Sequence, residues 1–245
     1  MNLPDVNIKQ LLEAGVHLGH KTLRWNPKMK KFIFGEKNSI HIIDLTKTVV
    51  YLNNALKEIH KCISSGGKIL IVSTKKQAAE QISKLAEETN QYFVNFRWLG
   101  GMLTNWTTIQ NSIKRMKFLE TELSKEDIGF TKKEIIKLEK EKEKLKKSLG
   151  GIAEMKKIPN MLFVIDTNIE SLAIKEAIKL NIPIVAILDS NSDPTGITFP
   201  VPGNDDARRS INLYCELLKN TIDDASKFIS NDPKSKKTEL EAKQS

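Results

Sequence analysis

The chain has 245 residues, with 39 lysines and arginines against 30 aspartates and glutamates, which gives a formal net charge of +9. Hydrophobic residues make up 40% of the sequence, enough to build a core, and this excludes wholesale disorder. No apolar run approaches the ~18–20 residues that a membrane-spanning helix needs, and residues 1–5 lack the basic and apolar regions of a secretory signal.

The cysteine content and the positive charge further restrict the cellular compartment and the kind of partner that the protein could have. Cys62 and Cys215 form neither a disulfide framework nor a CxxC pair, which favours a reducing compartment and argues against a structural zinc cluster. An isoelectric point near 9.3 favours polyanionic partners, nucleic acid first and an anionic membrane surface second. The alternative is a lysine-rich composition without functional consequence. Because lysine supplies most of the charge, the few arginines are candidates for contacts that need a guanidinium, with phosphate or with an internal carboxylate.

The first sixty residues predict a small module of mixed structure. Residues 8–20 predict a short helix, and residues 21–31 predict an irregular basic loop in which Pro27 blocks helix formation. Apolar residues at 32–34 and 40–43 flank a polar turn and predict a β-hairpin. Helical periodicity predicts a helix over 45–64.

Strands and helices then alternate along the chain. The pattern predicts strands at 68–73, 92–96, 161–165 and 183–188, with helices at 74–88, after 166 and over 204–228. The strands are continuously apolar, as expected when both faces of a sheet are covered. Right-handed βαβ crossovers then give an α/β fold, a parallel sheet flanked by helices.

The α/β pattern is interrupted between Phe96 and Met161. Apolar residues at heptad spacing over 106–123 and 135–152 predict two helices that pair as an antiparallel coiled-coil hairpin; two unrelated surface helices are the alternative. The register places Glu120 opposite Lys142. A capping box at Thr131–Glu134 begins the second helix, and Gly150-Gly151 ends it, which leaves Ile152 at a frayed end.

These elements predict three parts of the chain. Residues 1–103 and 155–229 form a discontinuous α/β domain, residues 104–154 form the inserted hairpin, and residues 230–245 form a flexible tail.

Two groups of residues bear on a metal or an active site. His17 and His20 would share one helical face, and with Asp189, Asp205 or Asp206 nearby they would make a metal site. Nothing in the sequence requires that proximity, so we expect neither a metal nor a cofactor.

Asp166 and Asp189 follow predicted parallel strands, at the edge where α/β sheets bind ligands, with Thr74-Lys75-Lys76 at another strand end. A nucleotide- or phosphate-dependent enzyme is therefore the alternative function. Helix and turn capping is the favoured interpretation, because no nucleophile with a paired general base can be named, and we expect no catalytic residues.

Basic segments that contain aromatic residues are more informative. The segment His20–Lys31 combines cations with Trp25 in an irregular stretch, and Arg97-Trp98 repeats the pairing. Cations beside exposed aromatic rings suit phosphate contacts combined with stacking on unpaired bases. The alternative is that Trp25 and Trp98 are core side chains with a basic rim.

In these segments the chain resembles the family of the second protein of the bacterial small ribosomal subunit. The resemblance covers about residues 5–225 and runs through eight motifs in order. They are Ala14–His20, Trp25–Lys30, Phe32–Phe34, His41–Ile43, Arg97–Trp106, Phe163–Asp166, Asn191–Pro194 and Pro202–Ala207.

The resemblance implies a flavodoxin-like α/β domain with an inserted helical hairpin, in agreement with the residue patterns. It also implies a cytoplasmic, non-enzymatic ribosomal protein that binds ribosomal RNA and helps to dock the large mRNA-binding protein of the same subunit. The short, lysine-rich C-terminal end departs from the family.

We therefore predict an RNA-binding structural protein with no small-molecule substrate and no membrane contact. Trp25 or Trp98 is expected to stack on bases or to seat its loop, and the basic residues are expected to contact phosphates. The predicted RNA-binding residues are Lys21, Arg24, Trp25, Asn26, Lys28, Lys30, Lys31, Lys75, Lys76, Arg97, Trp98, Lys114, Arg115, Arg208 and Arg209. A protein–protein adaptor with incidental basicity is a third hypothesis.

Overall fold

The predicted parallel α/β architecture is confirmed in a computed structural model that describes residues 4–124 and 131–229. Five parallel strands form one sheet in the order β5-β4-β6-β7-β8. The strands are β4 (Ile69–Val72), β5 (Tyr92–Val94), β6 (Met161–Ile165), β7 (Ile184–Leu188) and β8 (Phe199–Pro202). The helices around them are α2 (Leu45–Ser64), α3 (Lys76–Glu88), α6 (Ser171–Lys179) and α7 (Arg208–Ile229).

Side chains of the sheet alternate between two cores. Ile69 and Ile71 of β4 pack with residues of α2, α3 and α7 on one face. Leu70 and Val72 pack on the other face with α6 and the base of the helical hairpin. This alternation follows from the two-residue period of a strand, and it explains why the central strands are apolar throughout.

A second, antiparallel sheet precedes the main one. Its strands, β1 (Leu18–Lys21), β2 (Ile33–Lys37) and β3 (Ile40–Ile43), lie in the order β1-β3-β2. The hairpin of β2 and β3 was predicted, but the helix predicted over 8–20 is wrong in extent, because α1 covers only Ile8–Glu13. Gly15 then adopts a positive φ of 77°, which ends the helix and redirects the chain into β1.

Strand β8 was not predicted, because its sequence Phe-Pro-Val-Pro carries two prolines. Proline removes a backbone donor and is tolerated only at the edge of a sheet. Strand β8 lies at that edge, beside β7.

The inserted segment forms α4 (Trp106–Glu122) and α5 (Lys132–Leu149), which pack against each other. Arg115 and Glu141 form an ion pair of 3.0 Å between the two helices. The predicted capping box at the start of α5 is confirmed, since Glu134 accepts hydrogen bonds from the backbone and the hydroxyl of Thr131. The heptad seam along the whole hairpin stays a prediction, as do the domain boundaries, and the predicted tail at 230–245 lies outside the described residues.

Two details of the predicted hairpin are wrong. Glu120 pairs with Lys146 at 3.5 Å rather than with Lys142, and the neighbouring Leu119 is buried. Ile152 is fully buried in a 3₁₀ turn rather than frayed. Ile152 is covered because the base of the hairpin packs into the core on one face of the main sheet, where a heptad pattern no longer decides which residue is buried.

Gly150 and Gly151 offer a matched test of how the hairpin is attached. A Cβ on Gly151 would collide with the backbone carbonyl of Phe93 in β5, whereas a Cβ on Gly150 would lie 3.8 Å from its nearest neighbour. Gly151→Ala is expected to lower the free energy of unfolding by about 2–3 kcal/mol. Gly150→Ala should leave it unchanged or slightly higher, because Gly150 has helical angles. Urea denaturation of the two variants measures the difference, and equal values would contradict this packing.

Candidate nucleic-acid interface

The basic loop between β1 and β2 is held on the carboxyl edge of the main sheet. It contains two 3₁₀ turns, Thr22–Arg24 and Pro27–Phe32. The backbone N–H of Asn26 donates to the carbonyl of Ser190, just beyond β7, at 2.8 Å. Met29 and Phe32 are buried and anchor the second turn in the core. The loop is therefore part of the folded platform.

Several cations of this loop are exposed. Lys28 binds Asp193 at 2.8 Å and lowers the pKa of that carboxyl to about 2, together with hydrogen bonds from Thr195. Lys31 lies over the ring of Phe32, with its Nζ 4.8 Å from the ring centroid. Within the described residues, no carboxylate lies at ion-pair distance from the remaining cations of the loop, which are Lys21, Arg24 and Lys30.

Trp25 is the exposed tryptophan of the predicted set. Its side chain is 37% exposed, and its ring lies 5.3 Å from that of His41 at an angle of 44°. Asn26 uses its side chain to accept from the backbone N–H of Lys28, so it shapes the turn. Leu23, which no sequence pattern marked as a candidate, is 95% exposed between these cations.

Trp98 lies in a different environment and does not fit the expectation of base stacking. It is buried, and its indole Nε1 donates to the carboxylate of Glu176 at 3.0 Å. Glu176 also accepts from the backbone N–H groups of Gly101, Leu103 and Thr104. Trp98 therefore seats the Arg97–Trp106 loop against α6, which is the second of its two predicted roles, while Arg97 remains exposed.

A substitution of Glu176 tests how the Arg97–Trp106 loop is held against α6. Burial alone would raise the pKa of Glu176, but the hydrogen bonds that it accepts lower it overall. Glu176→Gln is expected to lower the free energy of unfolding by about 2–4 kcal/mol at pH 7, because each charged hydrogen bond is worth about 1.5–3 kcal/mol.

The pH dependence of this loss has a defined sign. A depressed carboxyl pKa contributes stability above the unfolded-state pKa of about 4.3, and this stability is lost as the pH falls through the folded-state pKa. The difference between wild type and Glu176→Gln should therefore shrink on acidification in urea titrations. Glu87→Gln, an exposed site on α3, is the control, and a pH-independent difference would contradict the proposed contacts.

Lys75 does not fit the expectation of a phosphate contact, because it is 8% exposed. Its ammonium binds Asp166 at 2.8 Å, Asp205 at 2.7 Å and Asp206 at 2.6 Å. Burial lowers the pKa of Lys75, but the three carboxylates outweigh burial and raise it. The pKa of Asp205 is raised to about 7, by burial first and then by the charges of Asp166 and Asp189. Lys75 is thus an internal ion-pair partner.

The two histidines that were considered as metal ligands have different surroundings. His20 Nδ1 lies 2.9 Å from Asp189, and its Nε2 lies 3.3 Å from Asp206. The three side chains place ligand atoms within 4.8 Å of one another, as a metal site requires. His17 is not in this group, and burial lowers its pKa. The shared helical face was wrong because residues 18–21 form a strand.

The remaining predicted cations lie on other elements. Lys76 is the first residue of α3, and Arg208 is the first residue of α7. Glu80 in α3 forms an ion pair of 3.7 Å with Arg208, which links the N-terminal ends of the two helices. Arg209 is exposed beside them. Lys114 is exposed on α4, and Arg115 is occupied by Glu141. Apart from these two hairpin residues, the predicted cations therefore gather at the carboxyl edge of the sheet.

Asp166 and Asp189 have structural partners. Asp166 accepts from the backbone N–H groups of Asn168 and Ile169, and Asp189 accepts from that of Ser190. These are the capping interactions that the favoured sequence interpretation predicted. Over residues 4–124 and 131–229, we find no helix with the length and apolar character needed to cross a lipid bilayer.

Comparison with known proteins assigns the chain to a class. The family model described as ribosomal protein S2 matches residues 11–225. The chain is 57% identical over 222 residues to a protein of Gluconacetobacter diazotrophicus, covering 91% of this chain and 85% of that protein. It is 55% identical over 222 residues to a protein of Acidiphilium cryptum, covering 91% and 87%. Both relatives are named small ribosomal subunit protein uS2.

Fold and sequence together define a ribosomal protein, a class with a structural rather than a catalytic role. Within that class, the chain belongs to the ribosomal protein S2 family, as the resemblance of its eight motifs predicted.

Proposed function

We propose that this protein is a structural constituent of the small ribosomal subunit and binds ribosomal RNA through the carboxyl edge of its sheet. The observation that carries the proposal is the anchored basic loop, in which buried Met29 and Phe32 hold the exposed Lys30 and Lys31 in place. Because the backbone of this loop is already ordered, binding to phosphates carries only the cost of ordering the lysine side chains.

Burial and ion pairing divide the predicted RNA-binding residues into those with structural roles, those held by carboxylates and those available to RNA. Lys75 and Trp98 support the fold from within, and Asn26 shapes a turn. Lys28, Arg115 and Arg208 must exchange a carboxylate for a phosphate. The cations that remain directly available are Lys21, Arg24, Lys30, Lys31, Lys76, Arg97, Lys114 and Arg209. Trp25 supplies an aromatic surface for one unpaired base.

Protein partners and location extend the proposal. The relatives are named for the small subunit, and the resemblance implies that this family helps to dock the large mRNA-binding protein. We infer the same role here, in the cytoplasmic ribosome, and assign it no particular residues.

The alternative, a nucleotide- or phosphate-dependent enzyme, is less well supported. Its candidate groups Asp166, Asp189 and Lys75 are occupied by caps and ion pairs. Nucleotides with Mg²⁺ are therefore expected to leave the melting temperature unchanged, and a specific shift would favour the enzyme.

Sedimentation of the tagged full-length chain through a sucrose gradient tests the main proposal. At low salt the chain should travel with small subunits, and high salt should release it, because RNA binding of this type depends on counterion release. A chain that stays at the top of the gradient at low salt would contradict the proposal. Association that resists salt would favour the adaptor.

A further inference from the structure

A histidine of the small sheet is buried without a hydrogen bond to its ring. His41 lies in the central strand, β3, and is only 9% exposed. Both of its ring nitrogens are buried, and within the described residues neither has a hydrogen-bond partner. His20 and His60, by contrast, each contact an aspartate. A buried polar group without a partner is rare in native proteins, so His41 needs an explanation.

The hydrogen bonds that His41 lacks have a defined chemistry. A neutral imidazole carries one N–H donor and one lone pair that accepts. Leaving both unused costs stability in the free protein, because water would satisfy them in the unfolded chain. A phenylalanine ring would fill a similar volume without this cost. The imidazole is therefore explained if a ligand supplies an acceptor and a donor in the bound state.

Trp25 is the exposed residue that lies against this imidazole. The two rings are 5.3 Å apart, and Trp25 is 37% exposed. Unlike Trp98, its side chain belongs to neither hydrophobic core and makes no hydrogen bond within the described residues. The backbone beside it is fixed, because the N–H of Asn26 donates to Ser190 at 2.8 Å. The indole is therefore free to turn outward while the loop stays folded.

We propose that Trp25 and His41 form a binding site for one unpaired nucleotide of RNA. The indole turns outward and stacks on the base, which uncovers the imidazole, and His41 then exchanges hydrogen bonds with the same nucleotide. Proteins commonly recognise unpaired nucleotides by this combination of aromatic stacking and hydrogen bonding. Arg24, which is exposed directly before Trp25, supplies a positive charge for the adjoining phosphate. The inference rests on the proposed function and adds a residue outside the predicted RNA-binding set.

Replacing His41 with phenylalanine is expected to have opposite effects on stability and on RNA binding. The melting temperature should rise by about 2–4 °C, because the substitution removes a buried polar group that has no partner. The affinity for small-subunit ribosomal RNA should fall roughly tenfold, the loss expected for one or two hydrogen bonds. The slope of log affinity against log salt should not change, because His41 is assigned no phosphate. Thermal denaturation and filter binding over a salt series measure these quantities.

Two further variants accompany this test. Tyr214→Phe is the matched control, because the hydroxyl of Tyr214 is also buried without a partner but lies in the core beneath α7. Its RNA affinity should equal that of the wild type. The tryptophan fluorescence of the wild type should change when RNA is added, and this change should be lost in Trp25→Phe. The fluorescence measurement holds even where His41→Phe fails to fold.

The outcomes separate this site from the proposed function. A wild type that does not bind RNA would overturn both, whereas equal affinities of wild type and His41→Phe would overturn the site alone. An equal loss of affinity in Tyr214→Phe, or a fluorescence change that persists in Trp25→Phe, would also overturn it. Normal RNA affinity of His41→Phe combined with poor incorporation into small subunits would assign the site to a protein partner instead.

Discussion

Replacing Lys30 and Lys31 with glutamate is expected to weaken binding to small-subunit ribosomal RNA by roughly a hundredfold at moderate salt. Each of these cations is assigned one phosphate, and loss of each phosphate contact should reduce the slope of log affinity against log salt by about 0.9. The double variant should therefore lose about 2 from that slope. Filter binding over a salt series measures both quantities.

The melting temperature should change little in this variant, because both lysines are on the surface. The cation–π contact of Lys31 with Phe32 limits the cost to about 0.5–1 kcal/mol. Lys57→Glu with Lys61→Glu, two exposed lysines of α2, is the control with the same change in net charge. If the control loses as much affinity, overall charge rather than the loop carries binding.

Replacing Lys75 with methionine is expected to lower the free energy of unfolding by about 3–5 kcal/mol, the usual loss when one partner of a buried ion pair is removed. The substitution leaves three carboxylates, those of Asp166, Asp205 and Asp206, without the ammonium that contacts them all. Lys76→Met, at the exposed neighbour, should change stability by no more than about 0.5 kcal/mol. Urea denaturation at pH 7 separates the two.

The effects of the two variants on RNA binding should be in the opposite order, with the larger effect in Lys76→Met. Below its unfolding transition, Lys75→Met should keep the salt slope of the wild type, because the ammonium is buried. Lys76→Met should reduce that slope by about one phosphate. Equal effects of the two variants on stability would contradict the assignment of Lys75 to the interior.

The different roles of these adjacent lysines show what local sequence can predict. Strands β4, β5, β6 and β7 were predictable because continuous apolar runs of that length suit a covered parallel sheet, whereas β8, with its two prolines, was not. The burial of Lys75 was not, because its partners Asp205 and Asp206 are 130 and 131 residues away. Trp98 poses the same problem, since Glu176 is 78 residues distant. Topology brings these groups together, and it becomes visible only in the fold.

The histidines show how one wrong secondary-structure prediction leads to a wrong prediction about a site. Residues 8–20 contain enough apolar positions to favour a helix, and a helix would align His17 with His20. The positive φ of Gly15 and the pairing of β1 with β3 separate them instead. Asp189, Asp205 and Asp206 were considered as neighbours of the histidines, but their proximity was not predicted, because the sequence carries no signal for the strand that brings His20 to Asp189 and Asp206.

The central claim is that fixed, exposed cations on a folded platform bind structured ribosomal RNA. The salt dependence of wild-type affinity for small-subunit RNA tests it most directly. Engagement of at least five of the eight available cations predicts a log–log slope steeper than about −4. A slope near zero, or no binding at low ionic strength, would contradict the account.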